Sequence, residues 1–197
     1  MLTRVIIVRH GETEWSRTGR HTGRTEAALS GQGEQNALGL APRMATLAPD
    51  AVLTSPRLRA IRTCELAGLG ARAHADTDLA EWDYGDYEGL RTAEILAVRP
   101  DWNLFRDGCP GGESPAQVSG RADRVLARIR PLGGTVALFT HGHFGRVLAA
   151  RWVGLAAGDG ERLVLDTASV SILSYEHGNP AAPAITLWNE RRGGIPG

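Results

Sequence analysis

Two short stretches of this 197-residue chain bring together residue types that do chemistry. Arg9-His10-Gly11-Glu12-Thr13 and Thr140-His141-Gly142-His143 each set a histidine beside a glycine, directly after an apolar run. A neutral imidazole is nucleophilic near pH 7, because its unperturbed pKa is about 6.5. An arginine next to it offers a planar fork of donors to an anionic group. Further along, Arg59 and Arg62 follow Ser55-Pro56, one helical turn apart. Glu81 opens an acidic, aromatic stretch that also carries Asp83, Tyr84, Asp86 and Glu88. A carboxyl group in such company is a candidate proton donor or acceptor.

The elements that must position these residues follow from the apolar pattern. Val5-Ile6-Ile7-Val8 is a continuous β-branched run, as in a strand buried on both faces. Val136-Ala137-Leu138-Phe139 is a second such strand. Polar residues at the carboxyl end of a buried strand stand where open α/β sheets place their ligand sites. If the two strands are neighbours, His10 and His141 share one pocket. Ala51–Thr54 forms another strand, and Val170–Tyr175 and Ala184–Trp188 close the sheet.

Helices fill the intervals. Ser30 caps one helix running to about Leu47, and Ser55 with Pro56 opens another through about Leu66. A short helix over Thr92–Val98 stops before Pro100. Ser114-Pro115-Ala116-Gln117 is a capping box, with Val118, Ala122, Val125, Leu126 and Ile129 forming one apolar stripe behind it. A further helix spans about Phe144–Val153, and the tail 191–197 is expected to fray. The alternation predicts a three-layer α/β fold, a mainly parallel central sheet with helices on both faces.

Composition narrows the function classes. Hydrophobic residues at 42% and charged residues at 22% exclude a disordered chain. Lysine plus arginine equal aspartate plus glutamate at 22 each, so no global field favours nucleic acid or an anionic membrane. No apolar stretch approaches the roughly 20 residues of a membrane span, and the N-terminus lacks the flanks of a signal peptide. Cys64 and Cys109 make no disulfide framework and suit buried, reduced thiols in a cytoplasmic protein. His141 and His143 have no cysteine or carboxylate run nearby to complete a first shell, so no metal is expected. Nothing specifies an oligomeric state.

Four motifs in this order resemble the histidine phosphatase superfamily, also called the phosphoglycerate mutase-like family. Arg9-His10-Gly11-Glu12-Thr13 looks like its nucleophile motif, and Ser55-Pro56 with Arg59 and Arg62 like its second arginine element. Glu81-Trp82-Asp83-Tyr84-Gly85-Asp86-Tyr87-Glu88-Gly89 is similar to its proton-donor segment, and His141-Gly142-His143 to its second histidine. The resemblance covers nearly the whole chain. It implies a single domain over 1–197, with cap-like segments around 15–30 and 82–113.

The resemblance also implies the chemistry. Phosphoryl transfer asks the protein chiefly for positioning and for positive charge around the phosphoryl oxygens. His10 becomes the phosphohistidine, Arg9 and Arg59 bind the phosphoryl oxygens, and His141 donates as charge builds. Glu81 protonates the leaving group, a kind of catalysis that typically contributes about 10²–10⁴-fold. Ser16, Thr22, Gly23, Tyr84, Gly142 and Arg62 are the implied substrate contacts, and no cofactor is called for. Ser16 stands where many members carry an asparagine, and Glu26 and Ala28 where aspartate and proline are common.

The interval between the proton-donor region and His141 is shorter than in the mutases of the family, which favours water as the acceptor. Asp83–Gly89 with Arg106-Asp107-Gly108-Cys109 resembles a subgroup of sugar-phosphate and acid phosphatases. The expectation is hydrolysis of a small phosphorylated metabolite, a sugar phosphate or one like phosphoglycerate. The alternatives are a phosphoglycerate mutase primed by 2,3-bisphosphoglycerate and, in another class, a binding module without catalysis.

Overall fold

A computed structural model describes residues 1–191. The expected fraying of the tail therefore lies, for 192–197, outside the described residues. In chain order the elements are β1 (Arg4–Arg9), α1 (Glu14–Arg17), α2 (Gly31–Leu38), α3 (Ala41–Leu47), β2 (Ala51–Thr54), α4 (Leu58–Leu66) and β3 (Ala73–Ala75). They continue with α5 (Thr92–Val98), α6 (Leu104–Asp107), α7 (Pro115–Ile129), β4 (Thr135–Thr140), α8 (Gly142–Trp152), β5 (Val170–Tyr175) and β6 (Pro183–Glu190).

The strands form one sheet in the order β3-β2-β4-β1-β5-β6. The pairs β1–β4, β2–β4 and β2–β3 are parallel, whereas β5 runs antiparallel to both β1 and β6. Alternation along each strand builds the two outer layers. Val5, Ile7, Val136 and Leu138 face the helices α7 and α8, through Val125, Ile129, Val147 and Leu148. Ile6, Val8, Ala137 and Phe139 face Met44 and Leu47 of α3 and Cys64 of α4. A strand covered on both sides has no polar face, and Val5–Val8 are fully buried. Among the described residues no helix is long and apolar enough to cross a membrane.

Three elements differ from the sequence expectation. The single helix expected from Ser30 to Leu47 is two, broken at Gly39-Leu40. Pro42 has no N–H, and within a continuous helix its ring would clash with the Leu38 carbonyl. The helix expected at Ser55-Pro56 starts instead at Leu58. Ser55 is drawn to His141, and the carboxylate of Glu26 accepts from Leu58 N at 3.0 Å and pairs with Arg57 at 3.0 Å. Glu26, unusual at its position, thus has a local structural use. The edge strand β3 carries no β-branched residue, so nothing in its composition announced it.

Candidate active site

The sheet's carboxyl edge assembles the site. Arg9 and Thr140 are register partners, so the residues that follow them are neighbours, and the His10 and His141 rings meet edge-on with centroids 5.1 Å apart. On the far side of β4, Ser55 follows β2. Gly11 allows its loop to close on α2, because a Cβ there would fall 2.6 Å from the Gly33 carbonyl oxygen. Gly11 N donates to Thr63 Oγ1 at 2.9 Å, which ties the loop to α4 as well.

Hydrogen bonds set the ring protons. His10 Nδ1 lies 2.7 Å from the Gly11 carbonyl, which only accepts, so the proton sits on Nδ1 and Nε2 keeps its lone pair. Burial, with the guanidiniums of Arg59 and then Arg9 adding to it, holds the His10 imidazole well below its ordinary 6.5. It is a neutral base at neutral pH. His141 accepts from Arg59 Nε at 3.2 Å through Nδ1, so its Nε2–H donates to Ser55 Oγ at 2.7 Å. Burial first, then the charge of Arg59, keeps it neutral too.

A cavity of about 170 Å³ opens over His10. Arg9, Glu81, Tyr84 and Gly142 line it. Arg9 binds the Leu165 carbonyl through Nη1, and its buried Nε has no partner among the described residues. A Cβ on Gly142 would lie 3.2 Å from the Arg9 guanidinium carbon, so the glycine gives that side chain its room. Glu81 accepts from the backbone N–H groups of Trp82, His143 and Phe144 at 2.9, 3.1 and 2.8 Å. Its carboxylate therefore sits on the N-terminus of α8, where the helix dipole is positive. The Glu81 loop is held by Arg121 of α7, which donates to the carbonyls of Asp78, Ala80 and Glu81 and pairs with Glu113 at 2.7 Å.

Residues 5–191 match the profile of the histidine phosphatase superfamily (branch 1). The chain belongs to this superfamily. Among its relatives, an acid phosphatase of Mycobacterium tuberculosis is 44% identical over 179 residues, covering 89% of this chain and 88% of the relative. The sedoheptulose 1,7-bisphosphatase of Saccharomyces cerevisiae is 34% identical over 248 residues, covering 93% of this chain and 92% of that one. A solved structure of an open reading frame product from Mycobacterium tuberculosis superposes with a TM-score of 0.90 at 40% identity, over 96% and 98% of the two chains.

The structure redistributes some residues that likeness to the histidine phosphatases marks out. Arg59 is fully buried and lies behind the cavity rather than on its lining. Its guanidinium is taken up by the carbonyls of Thr22, Gly23 and Thr25 at 2.8, 3.1 and 3.0 Å and by His141. His141 is likewise behind the lining, with both ring nitrogens engaged. Thr22 and Ser16 do line the cavity. The Ser16 hydroxyl, however, already donates to Thr13 O at 3.0 Å and accepts from Thr13 N at 2.9 Å, closing a capping box on α1. Gly23, expected as a substrate contact, is placed beside the cavity rather than on its lining. Its N–H is bound by the Glu88 carboxylate at 2.9 Å.

Arg62, also expected as a substrate contact, is not on the cavity lining. It stands half-exposed on the outer side of α4, paired with Glu34 and Glu65 at 3.0 and 3.2 Å, because one turn from a buried Arg59 its side chain meets α2 and solvent. Beyond the residues that the motifs mark as substrate contacts, His21, His143 and Arg146 also line the cavity. His21 is only 7% exposed. Only helical spacing from Gly142 hinted at Arg146. Of the aromatic residues, Tyr84 reaches the cavity, while Trp82, Trp102 and Phe105 pack in the core. Both thiols are free and buried, and burial pushes each up to about 12. Among the described residues no group of three or more His, Cys, Asp or Glu converges as a metal site would require.

Proposed function

We propose that this chain is a phosphomonoesterase that passes the phosphoryl group of a small metabolite, a sugar phosphate or one like phosphoglycerate, to His10 and then to water. The observation that carries the reading is the free Nε2 of a neutral His10, facing the same cavity as Arg9 and Glu81. Nε2 attacks phosphorus while the bond to the ester oxygen breaks, and Glu81 in its acid form gives that oxygen a proton. Water then attacks the phosphohistidine, Glu81 takes its proton, and the N–P bond breaks to release phosphate. Arg9, on the cavity wall, meets the phosphoryl oxygens and the growing charge on them. Arg59 and His141 act from behind, positioning the 22–25 loop and backing the His10 ring.

Segments 15–30 and 82–113 serve as caps on a single domain, a reading supported by Ser16, His21, Thr22 and Tyr84 on the cavity wall. The names of the acid phosphatase and sedoheptulose bisphosphatase relatives support water as acceptor and a sugar phosphate as substrate. The free thiols suit a reducing compartment such as the cytoplasm. His10→Ala is expected to abolish phosphate release, and rapid quenching of the wild type is expected to trap phosphohistidine. Undiminished turnover by the variant refutes the reading. With 3-phosphoglycerate and 2,3-bisphosphoglycerate, free phosphate supports hydrolysis and isomerised product assigns a mutase instead.

A further inference from the structure

Two imidazoles on the cavity wall have no part in the transfer to His10. His21 Nδ1 stands 2.8 Å from the Leu90 carbonyl, so its proton lies on Nδ1 and Nε2 carries a lone pair. His143 Nδ1 stands 2.6 Å from the Tyr84 hydroxyl. A phenol O–H is a stronger donor than a neutral imidazole N–H, and an imidazole nitrogen a stronger acceptor than a phenol oxygen, so the hydrogen goes to Nδ1 and His143 keeps its proton on Nε2. Neither Nε2 has a protein partner among the described residues. The only buried, unpartnered side-chain nitrogens or oxygens among the described residues are Arg9 Nε and Arg57 Nε, so both Nε2 atoms reach open space.

The two rings are nearly parallel, at 12°, with centroids 6.0 Å apart. Both line the cavity over His10. The wall thus presents a neutral acceptor beside a neutral donor. A hydroxyl satisfies both, since it donates and accepts. A carboxylate only accepts and meets the His21 lone pair with its own, and an alkyl group satisfies neither. Arg146 also lines the cavity, with its Nε and Nη2 bound to the carbonyls of Gly160 and Glu161.

We propose that His21 and His143 read a hydroxyl of the substrate's alcohol portion, so that the site prefers phosphate esters of polyhydroxylated alcohols over alkyl esters. Burial holds both imidazoles below their ordinary 6.5 and the Tyr84 hydroxyl well above 10, which keeps the three groups neutral in the physiological range. The inference rests on the phosphomonoesterase reading and adds which alcohol the ester contains.

The test compares kcat/KM for glycerol 1-phosphate and propyl phosphate, which share a three-carbon chain and differ in hydroxyls. The wild type is expected to favour the glycerol ester by at least about tenfold. His21→Asn keeps an amide donor for Leu90 and deletes the acceptor, and it is expected to lower that ratio about tenfold. His21→Gln, which can return an oxygen near the Nε2 position, is expected to recover part of it. Tyr84→Phe releases the proton on His143 and is expected to lower the ratio as well, which keeps the proposal testable if His21→Asn does not fold.

A wild-type ratio near one, or the same ratio in the folded variants, overturns the inference while leaving the phosphomonoesterase reading intact. If the wild type turns over neither ester nor p-nitrophenyl phosphate and forms no phosphohistidine, the parent reading fails and this one with it.

Discussion

Gly142→Ala tests whether the position of Arg9 controls the rate. Gly142 is the first residue of α8. An alanine Cβ there would sit 3.2, 3.3 and 3.4 Å from Cζ, Nε and Nη1 of Arg9. Ordinary contact begins at about 3.5 Å, so the guanidinium must retreat by about 0.3 Å. Its Nη1 is held by the Leu165 carbonyl, so the shift turns the fork within the cavity rather than out of it. A misplacement of about 1 Å at a reacting group costs about 10²-fold, and scaling the logarithm gives about fourfold for this one. The loss belongs in kcat, because the charge Arg9 meets is greatest in the transition state. Stability is expected to hold or rise, since alanine replaces glycine in a helix with a gain of up to about 1 kcal/mol. Steady-state kinetics on p-nitrophenyl phosphate with a thermal melt reads both quantities. Full activity at an unchanged melting temperature refutes the role given to Arg9, and a large fall in melting temperature refutes the packing.

Acid stability offers a second check. His10, His141, His143 and His21 all have pKa values lowered first by burial. Below about 6.5 the unfolded chain binds protons that the fold refuses, so the stability present above that pH is lost as pH falls, at up to about 1.4 kcal/mol per pH unit for each group. Urea midpoints flat between pH 7.5 and pH 5, chosen to bracket the ordinary imidazole value of about 6.5, contradict this. Arg121→Lys loses the fork that holds the Glu81 loop, and about 2 kcal/mol of stability together with a fall in kcat is expected from denaturant titration and kinetics. Arg62→Ala removes only exposed ion pairs, so kcat/KM within twofold of wild type and an essentially unchanged melting temperature are expected. A tenfold loss of activity there would return Arg62 to the site.

Much of the framework was legible because it rests on local pattern. Val5–Val8 and Val136–Phe139 are apolar without a break, and only burial on both faces accommodates such runs. The Ser114–Gln117 capping box and the stripe from Val118 to Ile129 specify α7 from residues a few positions apart, and that helix forms as expected. The motifs around His10, Ser55, Glu81 and His141 announced the family before any contact was known.

What tertiary structure alone decided was partner choice across long separations. Ser55 reads as a helix cap until His141, far along the chain, takes its hydroxyl. Gly23 reads as a donor to substrate until Glu88 occupies its N–H. His21 and His143 look incidental in sequence, and they become a facing pair because Leu90 and Tyr84 fix one nitrogen of each. Propensity and periodicity are short-range free energies and are written in neighbouring residues. The free valence of a hydroxyl, an amide or an imidazole depends on which distant group folding brings against it. For this chain the sequence therefore determined the layers and the motifs, while the fold decided which of their polar atoms remain open to a substrate.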